Sequence, residues 1–188
     1  MQIYSQKDPA YRNMRLGKSK LTVGSHGCFV SSLATLYQKT PEAILAIPGA
    51  INDNGYVNSH LVAKACGGLA TAPLFPGKES MLPKGWCIAM TDYYKQAGYP
   101  THFFLVNVEK KLQIDPLDFP AQAEELVYPI VEYRPFTNVK FITQKTWQEE
   151  TQDWCTENGI ITQWGTADDE LMYRVGAAIR NYHLRFNS

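Results

Sequence analysis

The sequence lacks an excess of charge of either sign, because 18 lysine and arginine residues balance 18 aspartate and glutamate residues in a chain of 188. Without a net field or a long run of like charges, nucleic-acid binding is not expected. No uninterrupted apolar segment is long enough to cross a bilayer, and the first residues lack the apolar core of a signal peptide. These absences predict a protein without an export signal and without membrane insertion.

Cysteine is sparse, and no two cysteines have the C-x-x-C spacing or the Cys/His spacing of zinc sites. Such widely spaced thiols are typical of a reducing compartment rather than of a disulfide framework. The sequence therefore predicts neither a bound metal nor a cofactor. The four cysteines are Cys28, Cys66, Cys87 and Cys155.

One of these cysteines begins an apolar helical pattern. Phe29, Leu33 and Leu36 recur at helical spacing directly after Cys28, and a Gly/Ser/His run precedes it. Unpaired N–H groups and the positive end of the helix dipole favour a thiolate at this position, so Cys28 is a candidate nucleophile. The alternative is that Cys28 is a small buried hydrophobe, and partners elsewhere in the chain must decide.

A second informative stretch, residues 101–116, is typical of a β-hairpin. Aromatic and β-branched residues are followed by a charged break at residues 109–111 and by a second short strand. A loop of two or four residues places Phe104 opposite Asp115, with His102 diagonal to Asp115 on the same face, roughly 7–8 Å away. A three-residue loop would turn the two side chains to opposite faces. Because the break has no glycine, a four-residue loop is favoured over a tight turn.

The remaining patterns predict an α+β fold. A Thr-Pro-Glu start predicts a helix from residue 41 to about residue 47, and a polar cap predicts another over residues 60–66. Short apolar runs predict strands at residues 85–90 and 127–135, while residues 69–84 read as a loop.

Four features occur in this order along the chain: Tyr4-Ser5-Gln6-Lys7-Asp8-Pro9, Gly27-Cys28, His102 at the start of a strand, and Ile114-Asp115-Pro116. Together they resemble the papain-like cysteine peptidases of family thirty-nine, which include bacteriocin-processing peptidases that cut after double-glycine leaders, and their broader "like" branch. The resemblance covers roughly residues 1 to 135. It implies a papain-like domain in which an N-terminal helix bearing the cysteine packs on an antiparallel sheet bearing the histidine and aspartate.

The resemblance assigns a role to one residue of each feature. It implies that Cys28 is the nucleophile, that His102 is the general base and acid, and that Asp115 orients the imidazole. Gln6 would donate to the oxyanion, together with the backbone N–H of Cys28. Gln6 precedes Cys28 by 22 residues, as in the looser branch, whereas the transporter-linked peptidases have only a few residues between the two.

The C-terminal segment, residues 136–188, reads as a helical pair. It resembles, in a single copy, the wall-attachment repeats of bacterial surface proteins and the C-terminal segments of phage lysins. The alternative is that the pair packs on the peptidase domain, since an apolar helix face must be buried somewhere. In the first case, the tryptophans of this segment would be platforms that bind carbohydrate, and in the second case they would be core residues. They are Trp147, Trp154 and Trp164.

These features predict a cysteine hydrolase that cleaves peptide or amide bonds through a thioester. The resemblance indicates a bacterial or bacteriophage origin, in the bacterial cytoplasm or a phage particle, and an endolysin-like action on the peptide part of peptidoglycan. A protein substrate is the next expectation, and acyl transfer would use the same residues. The alternative from another class is a non-catalytic phage structural or binding module that keeps the peptidase fold.

Overall fold

The computed structural model describes residues 2–98, 101–137 and 139. The chain divides into two compact units, Met1–Ile142 and Thr143–Ser188. The predicted helical pair lies outside the described residues, and so does Cys155. The first unit extends past the predicted domain boundary at residue 135, because Phe136 is buried in its core and packs edge-on against Tyr37.

The described part is a mixed α/β structure with few helices and one five-stranded antiparallel sheet of order β4-β3-β2-β1-β5. None of its described helices has the length and apolar character needed to span a bilayer. The helices are α1 Val23–His26, α2 Cys28–Tyr37, α3 Pro41–Leu45 and α4 Ser59–Ala65, with 3-10 turns at Glu79–Met81 and Lys95–Ala97. The strands are β1 Cys87–Thr91, β2 His102–Asn107, β3 Leu112–Ile114, β4 Glu124–Glu125 and β5 Glu132–Arg134.

Helix α2 is the centre of the main core. It begins at Cys28, as its apolar spacing predicts, and every residue from Val30 to Tyr37 is buried. A helix that is buried on almost all sides needs apolar or small residues throughout, which its sequence CFVSSLATLY supplies. The helix packs on β2 and α3, where Leu105 and Ile44 belong to its core cluster.

The sheet is buried on both faces, and successive strand residues alternate between two clusters. Ile88 and Leu105 belong to the cluster around α2. Cys87 and Phe104, their neighbours along the same strands, belong to a second cluster that includes Tyr133. The expectation that Cys87 is a core residue is confirmed.

The β2–β3 hairpin has the predicted register. Leu105 pairs with Ile114 and Asn107 pairs with Leu112, which leaves a four-residue loop at positions 108–111. Continuing this register by one residue puts position 104 opposite position 115. His102 and Asp115 therefore share a face at the end of the sheet where β2 begins.

The N-terminal segment joins this end of the sheet to α2. The Gln6 N–H and the Ser5 hydroxyl both donate to the Pro116 carbonyl, at 2.8 and 3.0 Å. The Tyr4 N–H donates to the Thr35 hydroxyl on α2. These hydrogen bonds hold residues 4–6 between Pro116, which follows Asp115, and helix α2, which begins at Cys28.

Two predicted elements are shorter in the structure. The strand predicted over residues 127–135 is limited to β5, because Pro129 has no N–H to donate to a ladder. Helix α3 ends at Leu45 instead of about residue 47, although Thr40 caps it as predicted.

Candidate active site

A tight junction between α1 and α2 positions Cys28. The Gly/Ser/His run before Cys28 forms a one-turn helix, because Thr22 and Ser25 form a capping box. Gly27 separates the two helices, and a Cβ atom added there would lie 2.4 Å from the Val23 carbonyl oxygen. Only glycine fits, and the chain reaches Cys28 as the first residue of α2, with its side chain half-buried.

His102 and Asp115 form a buried pair at the end of the sheet. The His102 Nε2 atom lies 2.7 Å from the Asp115 Oδ1 atom, and the two residues are 1% and 0% exposed. The Leu117 N–H also donates to Oδ1, at 2.7 Å. The imidazole is thus held by a carboxylate that is itself fixed by the backbone.

The Cys28 side chain lies close enough to the same imidazole to help raise its pKa. The start of α2 lies against the start of β2, since the Phe29 and Phe103 rings, which follow Cys28 and His102 in the chain, pack with centroids 4.6 Å apart. Because Nε2 is engaged by Asp115, Nδ1 is the ring nitrogen left to exchange a proton with the thiol. The structure therefore brings sulfur, imidazole and carboxylate together in that order.

The environment favours a charged imidazole. Burial lowers the pKa of His102, but hydrogen bonds and charge from Asp115 and Cys28 outweigh it and raise that pKa to about 9. For Asp115, burial raises the pKa, but the His102 contact, the Leu117 N–H and the Tyr128 hydroxyl together hold it below its ordinary value. The raised pKa of His102 and the lowered pKa of Asp115 both favour an imidazolium beside an ionised carboxylate.

Gln6 lies at the α1–α2 segment. Its side-chain Nε2 donates to the Gly24 carbonyl oxygen at 3.2 Å, and the Lys7 ammonium donates to the same oxygen at 2.8 Å. Gly24 precedes Cys28 by one helical turn, which brings the Gln6 amide toward the start of α2. Gln6 is buried, and its Oε1 atom has no hydrogen-bond partner among the described residues. One N–H of the side-chain amide is not used by Gly24.

Two residues that the sequence did not single out complete the surroundings of Asp115. The hydroxyls of Tyr94 and Tyr128 donate to its Oδ2 atom, at 3.0 and 2.7 Å. The sequence did indicate that Asp115 needs further partners. A buried, ionised carboxylate requires several hydrogen-bond donors, and His102 supplies only one of them.

Family models, curated proteins and solved structures gave no match to this chain. The arrangement of Cys28, His102 and Asp115 is therefore the main guide to its chemistry.

The three groups form a path for one proton. A thiol next to an imidazole can ionise by passing its proton to the ring, and the carboxylate stabilises the resulting imidazolium. The first N–H groups of α2 have no intrahelical partner and Gly27 has no side chain to cap them, so they face developing negative charge near Cys28. No group of three or more His, Cys, Asp or Glu side chains in the described ranges is arranged to hold a metal ion.

Proposed function

We propose that this chain is a papain-like cysteine peptidase or amidase that uses Cys28, His102 and Asp115. The observation that carries the proposal is the buried imidazole, which lies 2.7 Å from a carboxylate and close enough to the helix-start thiol of Cys28 for that thiol to help raise its pKa. A cysteine-bearing helix packed on an antiparallel sheet that bears the histidine also agrees with the papain-like fold.

The reaction follows from the order of these groups. Cys28 passes its proton to His102, and the thiolate attacks the carbonyl carbon of a peptide or amide bond. The tetrahedral intermediate collapses to a thioester as the amine leaves with the proton that His102 returns. Water then attacks the thioester, giving up a proton to His102, and the acid is released as the thiol re-forms. Asp115 keeps the imidazole oriented throughout.

The oxyanion of each tetrahedral intermediate needs donors near the sulfur. The Cys28 backbone N–H at the start of α2 is one, and the second N–H of the Gln6 amide is the other. The neutral amide adds no charge to the site, so it does not disturb the imidazolium.

For the substrate we propose the peptide part of bacterial cell wall, which makes the protein endolysin-like, with a protein substrate as the next candidate. The support is the resemblance of residues 1–135 to the peptidases of family thirty-nine and of the C-terminal segment to wall-attachment repeats.

The second candidate is a non-catalytic module with the same fold. The observation that favours it is the burial of His102, which is 1% exposed, so that a substrate can approach the site only from the half-buried Cys28 side. This candidate predicts a thiol without special reactivity.

Alkylation of Cys28 by iodoacetamide distinguishes the two. An ordinary cysteine thiol has a pKa of about 8.5 and is about 1% ionised at pH 6.5, so an ion pair with His102 accelerates alkylation by up to about 100-fold at that pH. We expect this acceleration in the wild type and its loss in His102→Ala, with His60→Ala on the surface of α4 as the matched control.

The comparison must be made between variants, because Cys66 and Cys87 are buried and react slowly for that reason alone. Equal rates in wild type and His102→Ala would contradict the proposed enzyme. The turbidity of a bacterial cell-wall suspension then tests the substrate, with Cys28→Ala as the control. A reactive Cys28 without loss of turbidity would refute the cell-wall substrate and leave the protein substrate to be tested.

A further inference from the structure

The Oδ2 atom of Asp115, which does not face His102, accepts two tyrosine hydroxyls. Tyr128 donates at 2.7 Å and Tyr94 at 3.0 Å, and the two hydroxyls also touch each other. The tyrosines come from separate parts of the chain, one before the 3-10 turn at residues 95–97 and one after β4. Two distant segments therefore converge on the same carboxylate oxygen.

The two oxygens of Asp115 have different partners. Oδ1 accepts from His102 and from the Leu117 N–H, whereas the donors to Oδ2 among the described residues are both hydroxyls. With donors on both oxygens, rotation of the carboxylate about its last bond would break several hydrogen bonds at once. The tyrosines thus help to fix the plane of the carboxylate so that one oxygen faces the imidazole.

We propose that Tyr94 and Tyr128 are positioning residues that keep Asp115 ionised and turned toward His102. The inference rests on the proposed function for its catalytic consequence, but the hydrogen-bond network exists whether or not the chain turns over a substrate. Tyr94 also contacts the imidazole directly, with its ring perpendicular to that of His102 and centroids 5.2 Å apart.

The tyrosines remain donors across the working pH range. Burial is the main cause that raises the pKa of Tyr94 to about 12, and burial with the contact to Tyr94 raises the pKa of Tyr128 further. Among the described residues, His102, with Cys28 behind it, also acts on Asp115, and the charge of Asp115 in turn raises the pKa of the nearby Asp118. Of these, Asp118 acts against ionisation of Asp115 and His102 favours it.

Replacement by phenylalanine isolates the hydroxyls from the rings. Tyr128 packs edge-on against Phe104, and Tyr94 packs edge-on against His102, so Tyr94→Phe and Tyr128→Phe keep the aromatic packing. Tyr93 supplies the matched control. Its ring packs on both tyrosines, but it is 59% exposed and its hydroxyl makes no hydrogen bond within the described part of the chain.

The test is an NMR titration of the full chain. A proton on Nε2 shared with a carboxylate gives a strongly downfield signal, which is lost as Asp115 becomes protonated on acidification. Removing one donor from an ionised carboxylate raises its pKa, so we expect the midpoint of this loss to move up by about one pH unit in Tyr128→Phe. Tyr94→Phe should move it in the same direction, and Tyr93→Phe should leave it in place.

A second readout follows the thiol. The midpoint of the acid limb in the pH profile for Cys28 alkylation should move to higher pH in the same variants, because an uncharged Asp115 no longer stabilises the imidazolium. Unchanged midpoints in both single variants, with circular dichroism that shows an intact fold, would overturn the inference. An equal shift in Tyr93→Phe would also overturn it, since ring packing would then be responsible.

The outcomes separate this inference from the proposed function. If wild-type Cys28 has ordinary reactivity but the downfield signal shifts in the Phe variants, the enzyme proposal fails and the positioning role stands. If Cys28 is reactive and the signal does not shift, the enzyme proposal stands and the positioning role fails.

Discussion

Replacement of Asp115 by asparagine removes one charge and almost no volume. In the wild type, the His102 Nε2 atom and the Leu117 backbone nitrogen each lie 2.7 Å from the Asp115 Oδ1 atom. The amide oxygen of asparagine can still accept both hydrogen bonds. The NH₂ group would take the position of Oδ2, where the two tyrosine hydroxyls would have to accept instead of donate. The geometry of the imidazole can therefore survive while its electrostatic support does not.

The size of the effect follows from the pKa of His102. Return from about 9 to the ordinary 6.5 corresponds to about 3 kcal/mol, and Cys28 shares with Asp115 in raising this pKa. Burial opposes protonation in either variant. We therefore expect the pKa of His102 to fall by about one to two pH units in Asp115→Asn, equivalent to about 1.4–3 kcal/mol.

The assay is a titration of the His102 imidazole by NMR, with its signals assigned by their loss in His102→Ala. Asp118→Asn is the matched control, since it removes a nearby carboxylate that is exposed and makes no hydrogen bond to the imidazole among the described residues. A pKa that stays near 9 in Asp115→Asn, or that falls equally in the control, would refute the role assigned to Asp115.

Two further predictions concern stability and the oxyanion. Because the pKa of His102 is raised in the folded state, its stabilising contribution is complete below about pH 6.5 and is lost as the pH rises through about 9. Urea titrations should show the free energy of unfolding falling across that range, and falling less in Asp115→Asn; equal slopes would contradict the ion pair. Gln6→Ala should lower kcat by about 10²–10³ through loss of an oxyanion donor but leave alkylation of Cys28, which forms no oxyanion, near the wild-type rate. A parallel fall in both rates would instead indicate that the hydrogen bond to Gly24 holds α1 in place.

The sequence was a sound guide where the deciding interactions are local. The start of α2 at Cys28 follows from apolar spacing within one helix. The approach of His102 to Asp115 follows from the period of two along a strand and from the number of residues in one loop. Neither inference needs knowledge of the rest of the chain, and the structure confirms both.

The surroundings of Asp115 could not be obtained in the same way. Tyr94 follows a strand in a polar connection and Tyr128 was expected inside a strand, and no local pattern brings their hydroxyls together. Strand β4, Glu124–Glu125, was not predicted either, because two adjacent glutamates show no alternation of apolar and polar residues. The Gln6 side chain was expected as a donor, but its hydrogen bond to Gly24 depends on how the N-terminal segment crosses α1.

The number of residues in the loop at positions 108–111 limits which insertions and deletions this chain can accept. It lies at the far end of β2 from His102, roughly 17 Å along the strand at about 3.4 Å per residue. Surface loops ordinarily tolerate insertions and deletions. Here a single added or deleted residue would reverse which side of the sheet Asp115 occupies, whereas a pair would preserve it. Related chains that keep this chemistry should therefore differ freely in the composition of the loop, but in its length only by even numbers.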